Sequence, residues 1–426
     1  MRRIAAMGAA WGLLLVLAAC SSTSTHSAHR STSTTLPAVT TTSTTTTTLP
    51  SAVPTTVPTP VVPTVGWSSP ATTLPPAGGY TSLSCISEVF CLTTGGGSNQ
   101  ADATGSSGPG VTASWTGAVW SAPATYFAAA PGPDSPPWLP AISCTDGPLC
   151  AVVDGSAHTT LGDGTTWSPP DPLHGGPAPP ANPADPGPGH AGSRTAAVSC
   201  AGPHFCAYVD NTGHVATMHG TTWSGLRAIA TPSGSSSVAL FQRGRVGLGC
   251  ASPSACTAMV ANTVLDWDGT GWSTSSGPWG GDGYGGDTAV SCPGARTCVA
   301  VHGSSVSIRL GGTAWSAPRS VDANGRLDAI SCPTAFTCVA ADAYGAVVRQ
   351  YAGGWTSPQK VVPTPVDYTG DGTSLSCPSP QFCMILTGDG DYATYTGTPL
   401  TPTPVPTVPA TLAPYRSEPP ASQAGS

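Results

Sequence analysis

Residues Ile330–Pro358, ISCPTAFTCVAADAYGAVVRQYAGGWTSP, carry the pattern on which the fold turns. Cys332 and Cys338 enclose five residues. The β-type runs CVAAD and AVVRQY follow, separated by a Gly-bearing turn, and a second Gly-containing turn leads to Trp355, Thr356, Ser357 and Pro358. Short runs of Val, Ala and aromatic residues between Gly clusters read as strands joined by tight hairpins. The same order recurs along the chain. The C-x5-C pair occurs as Cys85 with Cys91, Cys144 with Cys150, Cys200 with Cys206, Cys250 with Cys256, Cys292 with Cys298, Cys332 with Cys338 and Cys377 with Cys383. These seven copies use fourteen of the fifteen cysteines.

Successive first cysteines are 59, 56, 50, 42, 40 and 45 residues apart, and the shorter spacings match the forty-odd residues of a four-stranded propeller blade. A first strand ends in the cysteine pair (TSLSC, PAISC, AAVSC, DAISC), a second follows it (CAVVD, CAYVD, CVAVH), and a third resembles VATMHG or VSIRLGG. The fourth carries Trp120, Trp167, Trp223, Trp272, Trp315 or Trp355. The seventh unit, Cys377–Gly397, has three strands and no Trp. An unpaired Gly66-Trp67-Ser68-Ser69-Pro70 stands before the first unit and matches the missing strand. If that segment joins the last blade, the ring closes and no blade exposes an unpaired edge. The fold expected is all-β: a seven-bladed β-propeller over 65–397, closed by an N-terminal strand. A disordered Ser/Thr/Pro-rich tether over 21–64 and a disordered Pro/Thr-rich tail over 398–426 flank it.

Composition narrows the function classes. The chain of 426 residues has 52 Gly, 46 Pro and 8% charged residues, which excludes a typical helical protein. Its net charge is −7, or −9 without Arg2 and Arg3, and no basic stripe exists, so no nucleic-acid partner is expected. Seven evenly built cysteine pairs read as disulfides of an oxidising compartment; zinc would need four converging ligands, and few His stand near the pairs. A seven-residue disulfide ring contributes about 2–2.5 kcal/mol in the chain-entropy model, so seven would supply a large share of one domain's stability. Each blade alone buries too little surface and leans on its neighbours, and the repeated Trp is read as packing between blades rather than as a sugar platform.

Residues 1–20 have Arg2 and Arg3, an apolar run from Ile4 to Val16 too short for a confident membrane span, and then Leu17-Ala18-Ala19-Cys20. This tetrad resembles the lipobox of bacterial lipoproteins. The resemblance implies a signal peptide and a diacylglycerol thioether on Cys20, the one cysteine outside the pairs. It implies an extracytoplasmic chain anchored to the outer face of the cell membrane. The tether over 21–64 would reach about 40 Å as a flexible coil. Its dense hydroxyls are also candidates for O-glycosylation.

Units of the form SC-x5-C-x-A-V…G-x-x-W resemble those of secreted actinobacterial β-propeller repeat proteins across about 65–397. The turn before the Trp is similar to the Asp box of sialidase-like propellers, S-x-D-x-G-x-T-W. Gly220-Thr221-Thr222-Trp223 keeps the end of that motif with Met218 in place of Asp, and Trp315 has Leu310 there. The resemblance therefore implies the fold more than a sialidase activity.

No catalytic constellation stands out. The two Glu, Glu88 and Glu418, lie in the first disulfide turn and in the tail, so a glycosidase would have to pair Asp282, Asp287, Asp367 or Asp371. Asp beside Gly is more often turn chemistry. Gly388-Asp389-Gly390-Asp391 lacks the later oxygen ligands of a calcium loop and reads as a strand turn. His158, His174 and His190 read as loop residues rather than a metal trio, and no metal or cofactor is expected.

Links between the fourth strand and the next first strand hold all the excess length, at about 121–141, 168–196, 224–247, 273–288 and 357–373. They share a face with the second-to-third turns, opposite the disulfide turns, and this is the expected binding face. It carries Tyr126, Phe127, Trp138, Trp279, Asp282, Tyr284, Asp287, Tyr368 and Asp371 as candidate ligand-binding residues. Aromatics with a few acids suit sugars, peptides or cationic groups; capping the central channel is the equally weighted structural alternative. The leading function is a monomeric, lipid-anchored binding or scaffold propeller recognising a cell-wall glycan or an envelope protein. A glycan-active hydrolase and an extracellular sensory domain are the alternatives.

Overall fold

The computed structural model describes residues 66–72, 74, 79–96, 110–127, 140–147, 149–154, 157–173, 195–229, 245–279, 287–323, 325–351, 354–364 and 372–397. The segments expected to be a signal peptide (1–20), a tether (21–64) and a tail (398–426) lie outside them. Every regular element among the described residues is a β-strand. They form seven antiparallel sheets, one per C-x5-C unit. The innermost strands, Tyr80–Ser87, Ala141–Thr145, Ala196–Cys200, Gly247–Ser252, Thr288–Gly294, Leu327–Thr334 and Thr373–Ser379, each contact the innermost strand of the next blade. The last contacts the first, so the ring is closed. This is the seven-bladed β-propeller that the repeat pattern implies.

Closure runs through the segment that the sequence left unpaired. Gly66 and Trp67 pair with Thr396 and Tyr395, and Ala71 and Thr72 pair with Tyr392 and Asp391, completing the seventh sheet. Trp67 packs on Tyr395 with ring centroids 5.6 Å apart. Ser68 then makes a reciprocal pair: its N–H donates to Thr394 O at 2.8 Å and its Oγ accepts from Thr394 N–H at 3.1 Å. Ser121, Ser168, Ser224, Ser316 and Thr356 make the same two bonds to Ser114, Leu161, Thr217, Ile308 and Arg349 in five other blades. The residue after each of these Trp is therefore a hydroxyl amino acid because its side chain supplies a ladder acceptor.

The fourth strands differ from the continuous Trp-bearing strands expected. Trp120 and Trp167 make single bridges to Trp115 and Gly162, and Trp315 lies outside any strand. Pairing resumes beyond the proline, as at Ala124–Phe127, Asp171–Pro172, Arg319–Ser320 and Gln359–Lys360. Pro123, Pro169, Pro318 and Pro358 lack the N–H that a ladder needs and stand in four of these breaks, whereas blade three is divided between Trp223 and Arg227 without a proline. Blade four has no proline before Pro278, and there Trp272–Ser276 runs unbroken.

All seven cysteine pairs are disulfide-bonded as the C-x5-C spacing implies. Cys85 is bonded to Cys91, Cys144 to Cys150, Cys200 to Cys206 and Cys250 to Cys256. Cys292 is bonded to Cys298, Cys332 to Cys338 and Cys377 to Cys383. Each bond joins the first strand of its blade to the second. The second cysteine is the better shielded partner: Cys91, Cys206, Cys298 and Cys338 have no exposed surface, and Cys150, Cys256 and Cys383 are only 2–3% exposed. The turn glycines Gly164, Gly213, Gly345 and Gly390 have φ of 89°, 82°, 84° and 89°, the left-handed region that other residues avoid. Gly390 closes the second-to-third turn expected over 388–391, its N–H donating to Thr387 O.

Each junction between blades has its own apolar core: Met384, Leu386 and Tyr392 meet Leu83, Cys91 and Trp115 where blade seven meets blade one, and Val339 and Val347 meet Leu375 and Ile385 between blades six and seven. A hydrogen bond repeats beside these cores. The serine preceding the first cysteine of one blade accepts from that cysteine's N–H in the next. Ser84, Ser143, Ser199, Ser291, Ser331 and Ser376 bond Cys144, Cys200, Cys250, Cys332, Cys377 and Cys85 at 2.9–3.0 Å.

The junction of blades four and five is the exception. Gly249 replaces the serine, and a Cβ there would lie 2.9 Å from Cys292 N; one at Gly247 would lie 2.7 Å from Val290 Cγ2. The two strands approach too closely for side chains. Arg309, 4% exposed, spans the junction instead, both oxygens of the Asp266 carboxylate lying 2.8 Å from its Nη1. Its Nη2 donates to Thr257 Oγ1. Ser331→Ala is predicted to lower stability by about 1 kcal/mol, because it strands the Cys377 N–H. Gly249→Ser, although it installs the residue used at every other junction, is predicted to cost more. Thermal unfolding of both variants checks this, and a neutral or stabilising Gly249→Ser would contradict the close-approach account.

Candidate functional site at the channel mouth

The innermost strands enclose a central channel with a cavity of about 200 Å3. Its wall is largely hydroxyl and small apolar groups, because first-strand residues are Ser, Thr, Ala and Val. At the long-link end the character changes. Arg245, just before the first strand of blade four, crosses the mouth, and its Nη1 donates to Thr373 O of blade seven at 3.1 Å. Its backbone N–H donates to Asp287 Oδ1 at 2.8 Å. From blade six, Arg326 places Nη2 3.3 Å from Asp287 Oδ2 and Nε 3.3 Å from Asp328 Oδ1. Two guanidinium groups and two carboxylates from blades four, five and six thus lie over one end of the channel, against blade seven.

Burial is uneven across this group. Asp328 is 2% exposed, whereas the Arg326 side chain is 48% exposed and faces outward. Asp328 Oδ2 has no hydrogen-bond partner among the described residues. Burial pushes the Asp328 carboxyl up to about 6; the adjacent Asp287 adds to the rise, and Arg245 and Arg326 oppose it. Close by, Asp342 is raised as well, by burial and by the neighbouring Asp322 carboxyl, against the N–H groups of Ala346 and Tyr344 that bond it.

Of the nine candidate ligand-binding residues four are among the described residues, and of these four Asp287 is the one placed at this mouth. Tyr126 is half-buried, its ring centroid 5.7 Å from that of Trp167 of the next blade and tilted against it by 47°; burial and the Asp154 carboxylate push its phenol far above the ordinary value. Trp279 bonds Met259 Sδ through Nε1 and lies 5.3 Å from the His302 ring, so it fills the junction of blades four and five. Phe127 pairs through its backbone with Gly110. Trp138, Asp282, Tyr284, Tyr368 and Asp371 lie outside the described residues, as do Asp367, His174, His190 and Cys20. His158 bonds Asp154 within its own hairpin turn at 3.2 Å. Among the described residues no group of three or more His, Cys, Asp or Glu is disposed to hold a metal.

Arg245, Arg326 and Asp328 were not among the sequence candidates, yet a signal existed. Arg245 and Asp287 stand five residues before their cysteine and Asp328 four before; the other blades hold Tyr, Leu, Thr, Gly, Pro, Ala or Val at these two positions. Aligning the repeats on cysteine exposes the three charges.

No protein-family model matches the sequence, and no curated protein matches it. Solved structures do. A streptogramin B lyase structure superposes with a TM-score of 0.53 at 10% identity, covering 78% of this chain and 98% of that one. The virginiamycin B lyase from Staphylococcus aureus gives 0.51 at 8% identity, over 78% and 100%. A YCF48 bound to D1 peptide gives 0.49 at 16% identity, over 78% and 97%. The two lyase superpositions, with TM-scores above 0.5, agree with the β-propeller fold. At such identities the likeness shows the fold alone.

The raised Asp328 fixes a pH dependence. Relative to an ordinary carboxylate, its ionised form costs the folded chain about 3 kcal/mol. Between about pH 6 and pH 4 the folded chain holds a proton that the unfolded chain releases, so stability from this group rises as pH falls through that window. Asp328→Asn removes the cost. The variant is predicted to unfold at a higher temperature than wild type near pH 8, with the advantage gone near pH 4. An unchanging difference across that range would contradict it.

Proposed function

We propose that this chain is a lipid-anchored, extracytoplasmic binding propeller of the secreted actinobacterial repeat type. In this reading it presents its long-link face to a cell-wall glycan or an envelope protein. Cys20 is the lipidated residue, residues 21–64 are the tether, and the ring acts as a monomer. One observation carries the reading. The chain enters the ring at Gly66, paired with Thr396, and leaves at Gly397, whose N–H bonds Gln381 O in the last disulfide turn. Both ends of the ring, Gly66 and Gly397, therefore lie on the disulfide face, opposite the charged mouth. Binding fits this geometry better than hydrolysis. Asp287, the one described member of the aspartates considered for acid–base work, is bonded by Arg326 and by the Arg245 N–H.

Two measurements test the proposal. Fatty-acid labelling of the native chain should disappear in Cys20→Ala, with release of the protein from the membrane. The purified chain should co-sediment with isolated cell-wall glycan or be retained by an envelope protein, and Arg326→Ala with Asp287→Asn should weaken retention about tenfold, roughly 1.4 kcal/mol. A chain that is never acylated and is retained by no envelope component contradicts the reading.

A further inference from the structure

We propose that the groove between the outermost strands of blades six and seven binds a proline-rich segment in the polyproline II form, and that its occupant is residues 399–409 of this chain. The site is distinct from the long-link face and does not depend on the reading above. A cavity of about 250 Å3 opens beside the closing strand, lined by Trp67, Ser68 and Pro70 on one side and by residues 359–363 of blade six on the other. Val361 and Val362 are buried at its floor, Trp67 is half-buried, and Pro70 and Pro363 are exposed at its rim. The rim also carries donors. Bonded and non-bonded positions alternate along an antiparallel strand. Ser68 N–H donates inward to Thr394 O and Val361 N–H to Gly345 O, so the N–H groups of Trp67 and Lys360, one residue earlier in each case, turn to the open edge. Lys360, the one charged residue lining the groove, is engaged already: its Nζ donates to Tyr344 O and Thr364 Oγ1.

The chain carries a matching segment just past this groove. It leaves the ring at Gly397, one residue after Thr396, which pairs with Gly66, so the segment starts beside the strand that holds Trp67. Residues 399–409 read PLTPTPVPTVP, and no charge follows Gly397 before Arg416. Polyproline II makes three residues per turn, so Pro399, Pro402, Val405 and Val408 share one face, and that face is wholly apolar. Eleven residues in this form extend about 34 Å, against about 20 Å for a six-residue strand, so a turn at Thr398 leaves enough length to follow the groove. Such a segment is extended before it binds and has no internal hydrogen bonds, which is why aromatic-lined grooves with rim donors take it at small entropic cost. Here the apolar face lies on Trp67 between Pro70 and Pro363, and its carbonyls accept from the outward N–H groups of Trp67 and Lys360. An acidic or basic peptide has no free counter-charge to meet. Attachment at Gly397 also gives this segment an effective concentration that a separate peptide does not reach. Once docked, it covers Trp67 and the seam at which the ring closes.

Isothermal titration calorimetry with a synthetic peptide of residues 398–414 tests this on the full chain. Val405→Asp with Val408→Asp in the chain should empty the groove, and that variant should bind the wild-type peptide. The wild-type chain, whose own segment fills the groove, should bind it about tenfold more weakly or worse. Adding Pro70→Asp to the emptied chain should again cost about tenfold or more. A peptide that itself carries the two Asp should fail to bind the emptied chain, which keeps the test decisive even if the Pro70 variant folds poorly. Equal binding of the wild-type peptide by the emptied and wild-type chains, or no binding by either, would overturn the proposal. So would full binding of the Asp-bearing peptide, or tighter binding of a peptide of residues 53–64, which also carry a proline-rich apolar face.

Discussion

The serine Oγ that accepts from the next blade's cysteine N–H is the contact on which the rest of this propeller depends. Innermost strands lie edge-on to the channel, with their side chains facing neighbouring blades, so successive strands meet through side chains rather than through a shared backbone ladder. The S-C dipeptide supplies a polar bond at that meeting, and the disulfide fixes the same cysteine to the second strand. One residue thus ties a blade internally and locks it to its neighbour. Strands built from small residues bury little apolar area per blade, so polar locks and covalent staples carry weight that larger cores carry elsewhere. Where the lock is missing, between blades four and five, close glycine contact and the buried Arg309–Asp266 pair replace it.

This framework explains where charge can gather. Along most of the channel the inner strands hold Ser, Thr, Ala and Val, whose side chains are committed to the junctions. At their long-link ends the strands diverge from that duty, and Arg245, Asp287, Arg326 and Asp328 meet over the channel from three consecutive blades. Two of the aromatics expected to form a platform, Tyr126 and Trp279, fold down into blade junctions instead. The described part of the face is therefore polar and charged at its centre, with aromatic side chains turned inward.

The fold was legible because its determinants are periodic. Cysteine spacing, Gly-bearing turns and the Trp each repeat seven times or nearly so, and the orphan Gly66-Trp67-Ser68-Ser69-Pro70 stood out against that period. The disulfides were legible for the same reason: a partner six residues on, across one tight turn, leaves each cysteine a single near neighbour, as with Cys144 and Cys150. The division of the fourth strands was less legible: prolines stand at several of the breaks, but blade three is divided between Trp223 and Arg227 without one. The site escaped because it is the opposite of periodic. Arg245, Asp287 and Asp328 are exceptions at register positions that other blades fill with neutral residues, and they lie far apart in sequence. Only ring closure brings blade four's arginine to blade seven's carbonyl. The aromatic loops drew attention by composition, which carries no information on whether a side chain turns outward or into a junction.

Closure by the displaced strand is the claim most directly open to measurement. In a chain whose tether runs directly into residue 73, blade seven keeps three strands and Tyr395 loses Trp67. The account predicts that its thermal unfolding midpoint falls by about 10 °C or more, or that the single transition is lost, and that joining the Gly66–Thr72 sequence after Gly397 restores it. A shortened chain that unfolds cooperatively at the temperature of the intact protein would contradict a ring closed in this way.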